Sequence, residues 1–455
     1  MRVMKKTRTI DMTNGNIYHV LISFAIPVLI GNLFQQLYNM VDTAVVGKYV
    51  NANALAGIGT TTPVITLILG VIIGMSNGMS VVIAQSFGKG EKEKTEKAIT
   101  NGLFLMFAIS IVVIGCGLLF SKPLFRIMNV PDEILGDALI YVNILFLGTL
   151  PKAAYNYESG ILRAFGNSVI PLIFLIFTSI MNVVLDLLLV CVFSMGVMGV
   201  AVATVISEIC SAILCFVFIK KKMPEINITK GAWVVDKEII LKHIKTGVPS
   251  ALSQSCLGIS FFVAQTALNS LGAISISAYT AANKMDSLCY MVMGAFGTAV
   301  STFAAQNYGK KDYQRVRQGI RRSLIITVFA AFILMAFVFL LGRTFIGLFV
   351  SPNETEILTM GYQYMRLSSF FYLSLCCDFI LQQGVVGVGK TTASTWVCVS
   401  EILTRIATTY LLVYRHGFFG MIFVSPACWT VSSILLIVIY RPMMIQAGVI
   451  CKKRG

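Results

Sequence analysis

Twelve long apolar runs dictate what this chain can fold into. A helix rises ~1.5 Å per residue, so ~20 apolar residues cross a ~30 Å hydrocarbon layer. The runs cover residues 18–46, 54–84, 98–121, 134–157, 168–193, 197–220, 241–270, 273–305, 318–342, 355–383, 391–414 and 417–440. Pro27, Pro171 and Pro249 fall inside them, which membrane helices tolerate where neighbours re-satisfy the freed backbone groups. Only 12% of the 455 residues are charged and 56% are hydrophobic. A soluble domain carries about 25% charge, so this chain cannot clothe a water-facing surface of its size. The fold class is an all-α integral membrane protein.

The net charge of +16 does not point to nucleic acid. The basic residues sit in short clusters between apolar runs rather than on one amphipathic domain. They do report orientation. With the N-terminus inside, the inner segments hold 27 Lys and Arg and the outer connections five, which by the positive-inside rule places both termini in the cytoplasm. Residues 1–16 are polar, and the run that follows lacks a small-residue cleavage site, so it reads as a retained first span.

The basic stretch after the sixth span divides the chain into an N-terminal lobe 1–221, a linker 222–240 and a C-terminal lobe 241–455. The lobes repeat one plan. Ala84-Gln85-Ser86-Phe87-Gly88-Lys89 ends the second span, and Ala305-Gln306-Asn307-Tyr308-Gly309-Lys310 ends the eighth. Pro27 answers Pro249, the turn Gly160–Gly166 answers Gly384–Gly389, and Leu188-Leu189-Val190 answers Leu411-Leu412-Val413. Six spans are an even number, so both copies point the same way. A pseudo-twofold axis along the membrane normal should relate the two six-helix lobes, as in parallel-repeat transporters. Duplicated helical halves suit alternating access, and two lobes in one chain are expected to function as a monomer.

A charge at mid-bilayer costs about 2.5–3.5 kcal/mol on insertion scales, so it usually has a task. Gln35, Tyr38 and Asp42 share a face of the first span, and Asn182 and Asp186 lie four apart in the fifth. With Thr204 of the sixth span these residues can form an oxygen-rich pocket. Two carboxylates facing each other there would share a proton or hold a monovalent cation. The competing reading is a satisfied polar network that only joins helices. Glu401 and Arg405, four apart, suggest a structural ion pair, and Arg366 and Asp378 a second one. Lys152 and Glu158 are expected to snorkel from the inner end of the fourth span, and Lys284 has no assigned role. Gly70, Gly74 and Gly78 make two overlapping GxxxG patterns that signal close helix packing. Eleven cysteines are scattered with no CxxC pair, and three histidines lie near span ends. They read as buried small hydrophobes and not as a metal site. No GxSxG or HExxH motif marks an enzyme.

In this order these features resemble the multidrug and toxic compound extrusion family. The likeness rests on Pro27…Gln35…Tyr38-Asn39-Met40-Val41-Asp42-Thr43…Gly47, on Ala84-Gln85-Ser86-Phe87-Gly88, and on Gly160-Ile161-Leu162-Arg163-Ala164-Phe165-Gly166-Asn167. Asn182…Asp186 and Ala203-Thr204 complete it. The resemblance implies a V-shaped pair of lobes in a bacterial cytoplasmic membrane, in contact with its lipids. It implies export of lipophilic, often cationic small molecules in exchange for H⁺ or Na⁺, with no other cofactor. It assigns coupling to Asp42, Asn182, Asp186 and Thr204, which would be metal ligands if the ion is Na⁺, with Tyr38 and Asn156 nearby. One branch carries a glutamate in the seventh span, where this chain reads Leu252-Ser253-Gln254-Ser255-Cys256-Leu257. That departure favours the branch named for DNA-damage-inducible members. A lipid-linked precursor flippase of the same wider superfamily is the alternative.

Overall fold

The structure, a computed structural model, describes residues 9–450 apart from 51, 129, 224, 225, 227 and 351–353. The described residues are helical throughout, with short connections. The helices of the first half are α1 (Ile17–Tyr49), α2 (Ala52–Gly88), α3 (Lys92–Ile127), α4 (Asp132–Leu147), α5 (Thr149–Ala164), α6 (Val169–Leu187) and α7 (Gly196–Lys222). Those of the second are α8 (Lys237–Asn269), α9 (Ala273–Gly309), α10 (Tyr313–Gly347), α11 (Thr355–Ser369), α12 (Tyr372–Gly387), α13 (Thr392–Thr408) and α14 (Val424–Gln446). Among the described residues nine helical segments are long and apolar enough to span a membrane, and eleven if each of two bent pairs counts as one span. The helix at the remaining expected span, α8, runs for 33 residues.

The bends and irregular turns recur in both halves. The fourth span breaks by 47° between α4 and α5, and its counterpart by 51° between α11 and α12. A π-helical turn follows α6 at Leu188–Val192 and another follows α13 at Thr409–Val413. Left-handed backbone falls at matching points too, at Gly90 and Lys311, Gly166 and Gly389, and Gly196 and Gly417. Gly166 shows why a side chain is excluded there. Its φ is +87°, its carbonyl accepts Ile10 N–H at 3.0 Å, and a Cβ would collide with the Ile10 carbonyl.

The chain divides into two compact units. The first holds the N-terminal residues up to Asp11 together with Ile26–Ser255, and the second holds Met12–Ala25 together with Cys256–Gly455. Both α1 and α8 therefore change unit along their length, α1 just before Pro27. Hydrogen bonds hold the exchanged pieces. Asn307 donates to the Met12 carbonyl at 3.0 Å, and Arg315 to those of Asn14 and Gly15 at 2.8 and 3.1 Å. The described part of the connection expected as a linker lies along α3. Asn101 accepts Asp236 N–H at 2.8 Å and donates to the Val234 carbonyl at 3.1 Å, while Glu96 accepts Thr229 N–H at 3.0 Å.

Within each unit one helix is central and one peripheral. The membrane stretch of α2 is 61% buried and that of α9 67%, against 17% for α3 and for α10. The outer faces of α3 and α10 carry Leu119, Ile127 and Leu340, all more than 70% exposed, as hydrocarbon permits. The GxxxG face of α2 meets α8 in the first unit. A Cβ on Gly74 would stand 2.4 Å from Ala251 Cα, and one on Gly78 2.5 Å from Gly247 Cα. Small residues on both helices let the backbones touch. The sulfurs of Cys256 on α8 and Cys398 on α13 join in a disulfide, with a Cα–Cα distance of 6.0 Å. That corrects the expectation that all the cysteines act as small hydrophobes. The two lie 142 residues apart, a separation that carries no motif.

Candidate functional site

Four helices of the first unit each bring two polar residues one turn apart to a common interior. These are Tyr38 and Asp42 on α1, Lys152 and Asn156 on α5, Asn182 and Asp186 on α6, and Thr204 and Glu208 on α7. Residues at i and i+4 share a helix face, so each helix shows the interior one polar strip and turns apolar residues elsewhere. The strip on α6 ends where the π-helical turn begins. Such a turn widens the backbone and is often found beside functional sites.

Gln35, Tyr38, Lys152, Asn156, Asn182, Thr204 and Glu208 line a cavity of about 40 Å³. At ~10–15 Å³ per water that is room for roughly three waters or one small hydrated cation. A drug-sized molecule needs about 300 Å³ or more. Asp42 and Asp186 lie one turn from two of the lining residues, are 7% and 0% exposed, and interact directly. Apart from the contact of the two aspartates with each other, both Asp186 oxygens, Asp42 Oδ1, both amide atoms of Asn182 and the hydroxyls of Ser179 and Ser207 lack a hydrogen-bond partner among the described residues. Buried polar atoms are rarely left so. They are concentrated beside one cavity. Thr204 Oγ1 donates to the Val200 carbonyl at 3.0 Å, which leaves its lone pairs as acceptors. A monovalent cation fits this donor set of carboxylate, amide and hydroxyl oxygens. Among the described residues no cluster of three or more His, Cys, Asp or Glu forms a resident metal centre.

All seven sequence-predicted residues thus gather in or beside one cavity. Lys152 changes reading. Lys152 was expected to snorkel beside Glu158, but its ammonium pairs with Glu208 Oε1 at 2.6 Å inside the cavity. Its helix turns it inward together with Asn156. Glu158 is 8% exposed, and its Oε2 has no hydrogen-bond partner among the described residues. Thr178, Ser179, Ser207 and Ser211 also line the cavity, with the Ser211 and Thr178 hydroxyls 2.8 Å apart. The spacing of Thr204, Ser207, Glu208 and Ser211 could have found the α7 strip.

The second unit has a different polar interior. Asp286 accepts hydrogen bonds from Tyr364 and Tyr372, both at 2.9 Å. Arg366 lies over the rings of Phe339 and Tyr362, at 5.5 and 5.8 Å, instead of pairing with Asp378. Asp378 interacts with Glu401, which in turn interacts with Arg405. Arg405 also donates to Ser425 at 3.4 Å.

Duplicated bundles of apolar helices, one enclosing a small polar cavity, define a multi-pass membrane protein. The MatE family model matches it twice, at residues 27–188 and 249–411, and the chain belongs to that family, whose members are transporters and not enzymes. It is 29% identical over 377 residues to the probable multidrug resistance protein YpnP of Bacillus subtilis, covering 83% of each chain. It is 26% identical over 415 residues to the probable multidrug resistance protein NorM of Thermotoga maritima, covering 88% of this chain and 87% of the relative. A crystal structure of MATE in the bent conformation superposes with a TM-score of 0.89 at 22% identity, over 96% of this chain and 97% of that one.

Proposed function

We propose that this protein is a secondary active multidrug efflux transporter. It exports lipophilic, often cationic compounds from a bacterial cytoplasmic membrane, with both termini in the cytoplasm, by antiport with H⁺ or Na⁺. It is closest to the DNA-damage-inducible branch, acts as a monomer and needs no other cofactor. The names of the similar proteins support the substrate class.

The observation that carries the coupling is the buried Asp42–Asp186 pair, whose carboxyls interact with each other. Two carboxylates in a water-poor site repel unless a proton or a small cation lies between them. Asn182 and Thr204 supply neutral oxygens to the same ion. A cation drives export only if it binds one conformational state better than the other. The pair offers that difference if the helix strips separate when the cavity opens. The Lys152–Glu208 pair cancels its own charge, so the cavity keeps a net acidic character from the two aspartates. That favours cationic cargo over the phosphates of a lipid-linked precursor.

The test is exchange on the purified protein. Adding tetraphenylphosphonium in weak buffer should release about one proton per molecule, or displace about one bound radioactive Na⁺ in Na⁺ medium, since one ion serves the coupled pair. Binding of the organic cation with neither release discards the antiport assignment.

A further inference from the structure

The proposed coupling leaves one question open: how loss of charge at Asp42–Asp186 reaches a substrate. Lys152 interacts both with Glu208 and with Asp42 of the aspartate pair. Its ammonium is 2.6 Å from Glu208 and also interacts electrostatically with Asp42 and Tyr38. The lysine stem has four methylenes, so its head can move by several ångströms about a fixed backbone. The other charged or titratable groups that face this pair are Tyr141 of α4, Tyr155 of α5 and Asp186 of α6. α2 carries no charged or titratable side chain from Ala52 to Gly88. Lys152 is therefore the one cation among the described residues lining this cavity, in contact with Glu208 and interacting with Asp42, while Arg163, farther along α5, faces Tyr155.

We propose that Lys152 is a tethered counter-cation that switches between Glu208 and the Asp42–Asp186 pair, so that Glu208 is open to a cationic substrate only while the aspartates are unoccupied. The inference rests on the reading that those aspartates hold the coupling ion. When the aspartates are ionised and empty, they draw Lys152 away and free the Glu208 carboxylate, which then binds the substrate's positive head. When a proton or Na⁺ neutralises the aspartates, Lys152 returns to Glu208 and expels the substrate. The sign is that of an antiporter, since cation binding releases cargo. The present structure shows the returned state. The ammonium is on Glu208, and the small cavity excludes a drug. Lys152 is thus a positioning residue, and because it lines the cavity its movement also changes the space there.

Equilibrium binding of tritiated tetraphenylphosphonium to purified protein, measured from pH 6 to pH 8 and then with Na⁺ added at pH 8, decides the matter. Wild type is expected to bind more weakly as the pH falls or Na⁺ rises, by up to about tenfold per pH unit for one linked proton. Asp42→Asn should bind weakly at every pH, because Lys152 then stays on Glu208. Adding Lys152→Gln to Asp42→Asn should restore tight binding that no longer depends on pH, while Lys152→Arg alone should behave as wild type. If Asp42→Asn keeps the wild-type slope, the coupling reading fails. If Asp42→Asn flattens the slope but Lys152→Gln restores nothing, the coupling reading stands and the switch is wrong. Should Asp42→Asn with Lys152→Gln not fold, Lys152→Gln with Glu208→Gln leaves neither charge of the pair. Weak, pH-independent binding there supports the switch, and the wild-type slope overturns it.

Discussion

Lys152 Nζ stands 2.6 Å from Glu208 Oε1, with both side chains less than a fifth exposed in a segment of the chain that hydrocarbon surrounds. Two charges there lose hydration that their attraction only partly returns, and removing one partner strands the other.

Lys152→Ala should therefore destabilise the protein by about 3–5 kcal/mol, while Lys152→Met with Glu208→Leu should recover most of that loss. Thermal unfolding in detergent measures both. The double variant is expected to be stable yet inactive, which separates the contribution of the pair to folding from its contribution to transport.

Gly74 and Gly59 both lie on α2, but they should answer substitution differently. A Cβ on Gly74 meets Ala251 Cα at 2.4 Å, whereas nothing lies within 4 Å of one on Gly59. Gly74→Ala forces two backbones apart, and overpacking of this kind costs about 1–3 kcal/mol or more. Gly59→Ala should be neutral or slightly stabilising, since alanine holds a helix better than glycine. Folded yield by size-exclusion chromatography compares them.

The Cys256–Cys398 disulfide predicts two protected sulfurs among eleven cysteines. Alkylation in denaturant without reductant should leave that pair unmodified, and a linked peptide should appear by mass spectrometry. Cys256→Ala with Cys398→Ala should lower stability by about 2–4 kcal/mol, because the closed loop is long.

How far the sequence could be read follows from which forces act locally. The spans were legible because hydrocarbon rewards unbroken apolar runs of fixed length. The duplication was legible because Gly166 and Gly389 each occupy a left-handed turn, and that requirement leaves glycine in both copies. Asp42, Asn182 and Asp186 were legible as carboxylates and an amide at helical spacing. The partner of Lys152 was not, since Glu208 is 56 residues away and pairing depends on how α5 packs on α7. Arg366 misled for a similar reason, because a guanidinium stacks on an aromatic face as readily as it pairs. GxxxG announced a close contact, but only the packed structure names α8 as the helix that makes it. Pro151, in the first turn of α5, marks the 47° bend, whereas the 51° bend falls where no proline marks it.

The central claim is that the exported compound is exchanged for a small cation held by Asp42 and Asp186. Its most direct test is ethidium transport by proteoliposomes carrying wild type, Asp42→Asn or Asp186→Asn, each under an imposed pH gradient and then under a Na⁺ gradient alone. The account predicts that one gradient drives the wild type and that neither drives either variant above protein-free vesicles. Gradient-driven transport at wild-type rate in both variants would contradict it.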